Sequence, residues 1–149
     1  MSLTDTIAKD LMAAMKAQDR KVLEALRAAK TAFIMAKSEK GSDAVLPADE
    51  EIRIIQKLVK QRKEAAAIYR EQKRPDLYEK EEEEAAVLEK YLPVKMSEEE
   101  LTAVLKSIVE IMGAKSPADM GKVMGAATKQ LAGKADGREI SAIVRQLLS

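Results

Sequence analysis

The sequence predicts an all-α protein, with an N-terminal helical domain of about four helices followed by a small C-terminal three-helix domain. Two observations predict it. Ala, Leu, Met, Glu and Lys dominate while aromatics make up only 3%, so strong helix formers abound and strand formers are scarce. Apolar residues recur at three- and four-residue steps, and no stretch sustains the alternation of a half-buried strand. Sandwich, Rossmann and barrel architectures are disfavoured on that pattern. The chain has 149 residues, 46% apolar and 34% charged, which suffices to bury a core and is too apolar for disorder.

The first helix is expected from Leu3 to Gln18, with Leu3, Ile7, Leu11, Ala14 and Met15 as its apolar stripe and Ser2 or Thr4 as its cap. The second spans Arg20 to Lys40, with Leu23, Leu26, Phe33 and Ile34 near one face, and stops at the turn Gly41-Ser42-Asp43. Leu46-Pro47-Ala48-Asp49-Glu50-Glu51 opens the third, since proline suits a first turn and acids suit the positive end of the dipole. Ile52, Ile55, Val59, Ala66 and Tyr69 carry its apolar face toward Arg74, and Pro75 ends or kinks it. Asp76 to Leu92 reads as the fourth helix, through Leu77, Ala85 and Leu88.

Tyr91-Leu92-Pro93-Val94 is the best domain boundary, dividing residues 1–93 from 94–149. Ser97-Glu98-Glu99-Glu100 then starts a fifth helix as a capping box. Its core face is Leu101, Val104, Leu105, Ile108 and Met112, and Gly113 stops it. Ser116-Pro117-Ala118-Asp119 repeats the start signal for a sixth, which presents Met120, Val123, Met124, Ala127 and Leu131 and stops at Gly133. Asp136-Gly137 turns the chain into a seventh, with Ile140, Ile143, Val144 and Leu147.

The chain contains no Cys and no His. Disulfide and thiolate chemistry are excluded, and so are the usual general base and the commonest metal ligand. A reducing, cytoplasmic setting is expected. No apolar run approaches the ~20 residues that span a bilayer, and Met1-Ser2-Leu3-Thr4-Asp5 lacks the pattern of a signal peptide. There is no Walker loop, no dinucleotide glycine pattern and no zinc spacing. No catalytic residue, cofactor or metal is assigned.

Three charged features stand out. Glu79, Glu81, Glu82, Glu83 and Glu84 form an acidic run; carboxylates sharing a face can hold a hard cation, while the simpler reading is a solvated helix surface. From Ile52 to Arg74, eight basic residues face only Glu64 and Glu71, and from Asp76 to Lys90 seven acids face two bases. Neighbouring helices of opposite sign are most simply a mutually neutralising pair; the alternative, a nucleic-acid surface on the basic stretch, has only Tyr69 there for base stacking. The third feature is Gly133-Lys134-Ala135-Asp136-Gly137-Arg138, with Lys122, Lys129 and Arg145 in the flanking segments. Cations beside a helix N-terminus suit a phosphate backbone. The same residues also read as ordinary caps, with Gly133 ending one helix and Asp136 starting the next. Gly121 and Gly125 share a helical face, and each costs about 1 kcal/mol against Ala. With Gly133 and Gly137 they are candidates for close approach by another backbone, a neighbouring helix by default or else a partner.

Asp119-Met120-Gly121-Lys122-Val123-Met124-Gly125, Gly133 to Arg138 and Ile140-Ser141-Ala142-Ile143-Val144 together resemble the YqeY family, as do Gln61-Arg62-Lys63-Glu64-Ala65 and Tyr91-Leu92-Pro93. The resemblance covers essentially the whole chain and rests on the joint pattern. That family is similar to the C-terminal helical and tail domains of the GatB subunit of the tRNA-dependent amidotransferase. In that enzyme the tail contacts the tRNA body, while the catalytic cradle and the glutaminase lie elsewhere. The resemblance therefore implies tRNA binding or association with the amidotransferase, not independent catalysis. The family label, a carbon–nitrogen ligase with glutamine as amido donor, is carried by homology. Candidate RNA contacts are Lys122, Lys129, Lys134, Arg138 and Arg145. Candidate partners are tRNA, amidotransferase subunits or an aminoacyl-tRNA synthetase, with no membrane. A component of an amide-forming ligase and a protein–protein adaptor without RNA affinity are the competing expectations.

Overall fold

In the computed structural model, residues 2–41 and 43–149 are described. Met1, and Ser42 of the expected turn, lie outside the described residues. Among the described residues, seven α-helices and one short 3-10 turn follow in order: α1 Leu3–Ala17, α2 Arg20–Lys40, α3 Ala48–Glu71, α4 Pro75–Glu89, α5 Glu98–Met112, the turn Pro117–Asp119, α6 Met120–Gln130 and α7 Gly137–Leu148. No strand occurs among the described residues. The chain divides into two compact units, Met1–Leu92 and Pro93–Ser149.

In the first unit, Ser2 caps α1 by accepting the Asp5 N–H at 3.1 Å, and Asp19 caps α2 by accepting that of Val22. α1 and α2 form a hairpin, and α3 lies along α4. The core combines Ile7 and Leu11 with Ala25, Leu26, Ala29 and Phe33, then Ile55, Val59, Ala85 and Leu88. Leu46, in the loop before α3, is buried among them. Pro47 sits one residue earlier than expected, as the N-cap, and contributes no side-chain hydrogen bond.

Glu51 is 2% exposed, although it stands in the first turn of α3. Its carboxylate accepts the Thr4 N–H at 2.6 Å and the Thr4 hydroxyl at 2.5 Å. It thus satisfies an orphan donor in the first turn of α1 and places negative charge at the positive end of that dipole. Glu51→Ala strands both Thr4 groups and is expected to cost about 2 kcal/mol. Urea unfolding reads the loss, and Glu51→Gln, which keeps an acceptor, should lose less. Further along α1, Asp10 Oδ2 accepts the Tyr91 hydroxyl at 2.5 Å. Burial, then Asp10, raises the Tyr91 phenol well above its usual range.

The second unit starts at Pro93. Ser97 caps α5 by accepting the Glu100 N–H at 3.2 Å, and Gly113 ends it in the left-handed region at φ +67°. That backbone favours glycine. Leu101, Leu105 and Ile108 pack with Val123 and Ala127 of α6 and with Ile140, Ile143, Val144 and Leu148 of α7. Met112, expected in this core, is 41% exposed; Leu147 packs against the core as expected, partly buried, and Leu148 joins it fully. Ser116 makes no side-chain cap, because Pro117–Asp119 forms the 3-10 turn and α6 starts only at Met120.

Candidate nucleic-acid interface

α6 turns Val123 and Ala127 into the core and leaves Gly121, Lys122, Gly125 and Lys129 exposed. Lys122 and Lys129, seven residues apart, share one helical face. α6 ends at Gln130, three residues before the expected Gly133 stop. The connection to α7 is anchored from inside: Leu131 and Ala135 are buried, and the Met96 N–H donates to the Lys134 carbonyl at 2.8 Å. Gly133, at φ +77°, makes the left-handed step the turn requires. The Lys134 backbone is therefore fixed while its side chain is exposed.

Asp136 caps α7 by accepting the Arg138 N–H at 3.0 Å. On α7, Ile140, Ile143, Val144 and Leu148 face the core, so Arg138 and Arg145, again seven apart, share the exposed face. Among the described residues, Lys122, Lys129, Lys134, Arg138 and Arg145 make no ion pair and no side-chain hydrogen bond. Asp136 is engaged by the helix start and does not pair with the flanking cations. Two exposed cationic faces and a cationic turn join directly in sequence, an arrangement that can contact phosphate oxygens without first breaking an internal bond.

The glycines require a correction. A Cβ at Gly121, Gly125 or Gly137 would meet nothing within 4 Å. Gly121 and Gly125 lie on the solvent side of α6, and among the described residues no helix approaches them closely. Nothing in the structure explains why both are glycine.

The opposite charges of α3 and α4 do meet. Arg62 Nε lies 3.3 Å from Glu84, Lys63 pairs with Glu89, and Arg70 pairs with Glu82 while stacking on the Tyr78 ring at 4.9 Å. The acidic run is therefore not a freely solvated face. Its Glu83 also reaches Lys21 of α2 at 2.9 Å, and Lys80 reaches Glu24 at 3.2 Å. Among the described residues no three carboxylates gather to hold a metal ion. Within the Gln61 to Ala65 segment, Arg62 and Lys63 are thus tied to α4, and Tyr91 is tied to Asp10 of α1.

Sequence reasoning missed the largely buried pair Arg62 and Glu84 and the charged recess lined by Glu84. The recess, about 370 Å³, is lined by Arg20, Lys21, Glu24, Lys80, Glu83, Glu84 and two further acids. Burial, then a hydrogen bond shared with Glu24, raises the Glu84 carboxyl above its usual range. Lys80, then Glu84, holds Glu24 below its own. The available signal was that Glu84 shares a helical face with the core residue Leu88.

Fold and surface define an all-helical protein of two compact units, the smaller one displaying unpaired cations. A family model described as Yqey-like protein matches residues 4–148, and the chain belongs to the YqeY family. No curated protein gives a significant match to it. Among the described residues no helix is long and apolar enough to cross a membrane.

Proposed function

We propose that the C-terminal unit is a binding module for the sugar–phosphate backbone of a structured RNA, a tRNA in view of the family resemblance. The protein would act as a cytoplasmic accessory factor, or as a companion of amidotransferase subunits or an aminoacyl-tRNA synthetase. Residues 1–93 and 94–149 would work as separate domains. One observation carries this reading: Lys122, Lys129, Lys134, Arg138 and Arg145 are all exposed and none is neutralised by an ion pair among the described residues. No residue is assigned to catalysis, and any ligase activity would belong to a complex.

The test is tRNA affinity as a function of salt. Each phosphate neutralised adds roughly 0.7–0.9 to the slope of log affinity against log salt. Wild-type protein should give a slope of about −3 to −4, corresponding to about four contacts. Lys134→Ala with Arg138→Ala should weaken binding at least about tenfold at low salt and reduce the slope by about 2. Absence of binding at low salt, or an unchanged slope in the double variant, rejects the proposal.

A further inference from the structure

We infer that the outer face of the α1–α2 hairpin is a docking surface for an acidic, amphipathic helix of a partner protein. Four large apolar side chains are exposed on these two helices: Met12 at 63%, Met15 at 54%, Ile34 at 57% and Met35 at 62%. On α1, Lys9, Met12 and Lys16 recur at steps of three and four, so they share one face; on α2, Arg27, Lys30 and Ile34 do the same. All of these cations are exposed. Among the described residues none of Lys9, Lys16, Arg27 and Lys30 forms an ion pair or a side-chain hydrogen bond. The one acid in phase with the α1 face is Asp5, at its N-terminal end.

Two neighbouring helices therefore repeat one combination: Met12 on α1 and Ile34 on α2 each stand in phase with two unpaired cations. Exposed apolar groups favour a dehydrating contact, and methionine adapts its shape to varied partners. The surrounding positive charge selects an acidic occupant and repels a cationic one. A second copy meeting this face symmetrically would set like charges against each other. Interfacial membrane helices carry Trp, Phe or Leu, and single-stranded RNA stacks its bases on aromatics. Phe33 is the only aromatic residue on α1 or α2, and it is 1% exposed. A helix bearing leucines on one side and glutamates on its flanks answers both features of the surface.

The test uses the full chain and a fluorescent synthetic peptide of about four helical turns, with leucines on one face and glutamates elsewhere. Binding is expected with a Kd of order 10 µM. Amide shift changes should concentrate in α1 and α2. Lys9→Glu with Arg27→Glu, and separately Met12→Gln with Ile34→Gln, should each weaken binding at least about tenfold, that is by about 1.4 kcal/mol. All four positions are exposed, so both variants should retain the wild-type melting temperature. Equal binding of a scrambled peptide with its leucines spread around the helix would overturn the proposal. Shift changes confined to α5–α7, or unchanged affinity in either variant, would also overturn it. So would tighter binding of this face to an oligouridine or to phosphatidylglycerol vesicles than to the peptide.

Discussion

Leu105→Ala is expected to unfold most of the C-terminal unit. Leu105 is 0% exposed at the centre of a core shared by α5, α6 and α7. Replacing a fully buried leucine with alanine costs about 2–5 kcal/mol, through lost transfer energy and the cavity left behind. A unit this small has a stability of only about 3–5 kcal/mol, so the substitution removes most of it. Amide spectra should show the α5–α7 resonances collapsing to the unfolded range, while those of α1–α4 persist if the two units are separate domains. Leu105→Met, which preserves volume, should cost less than about 1.5 kcal/mol. A loss below about 1 kcal/mol for Leu105→Ala would contradict the packing described. Collapse of α1–α4 together with α5–α7 would contradict the proposed division into domains.

The second large effect is expected at Arg62. Its side chain and that of Glu84 retain 16% and 11% exposure. Removing one member of a nearly buried pair leaves an uncompensated charge, and Arg62→Leu is expected to cost about 3 kcal/mol at neutral pH. The pH dependence has a definite sign. The folded protein holds the Glu84 proton more tightly than the unfolded chain does, because burial and Glu24 raise its pKa. That contribution is fully present below the unfolded glutamate value of ~4.3 and is lost as pH rises through the folded value. Arg62 opposes the rise, so Arg62→Leu should raise that value further and make the variant markedly less stable at pH 8 than at pH 5. Glu24 acts in the other direction. Held low by Lys80 first, its stabilisation is present above the unfolded value and is lost on acidification. Adding Glu84→Gln to Arg62→Leu removes the buried charge and should restore most of the lost stability, with a flatter profile. Thermal melts across that pH range decide it, and a profile equally steep with and without Glu84→Gln would refute the assignment.

Features confined to a few neighbouring residues were legible in the sequence. Ser97, Gly113 and Asp136 cap helices where their side chains or backbone freedom demand it. Each interaction closes within about four residues and needs no knowledge of the fold. Helical periodicity located Ile7, Leu11, Leu105 and Val144 in the cores, and the charge blocks of α3 and α4 pointed to each other. Periodicity erred at the edges of the stripes. Met15 and Ile34 lie in phase with buried neighbours and remain exposed, because the width of a covered stripe depends on the neighbouring helix and not on the helix itself. The two glycines of α6 misled for a related reason, since a local conformational cost does not say what stands opposite.

The amino-acid order alone determined a helical protein with these caps and turns, free of Cys and His chemistry and belonging to the YqeY family. Which charges are spent inside the molecule and which are left for something outside it was decided by tertiary structure. Glu51 meets Thr4 across 47 residues of chain, and Glu84 meets Arg62 only because α3 and α4 pack side by side. Asp136 accepts the Arg138 N–H at the start of α7, and among the described residues Lys134 and Arg138 form no ion pair. Charge neutralisation is a pairing between surfaces brought together by packing, and one-dimensional spacing does not encode which surfaces those are.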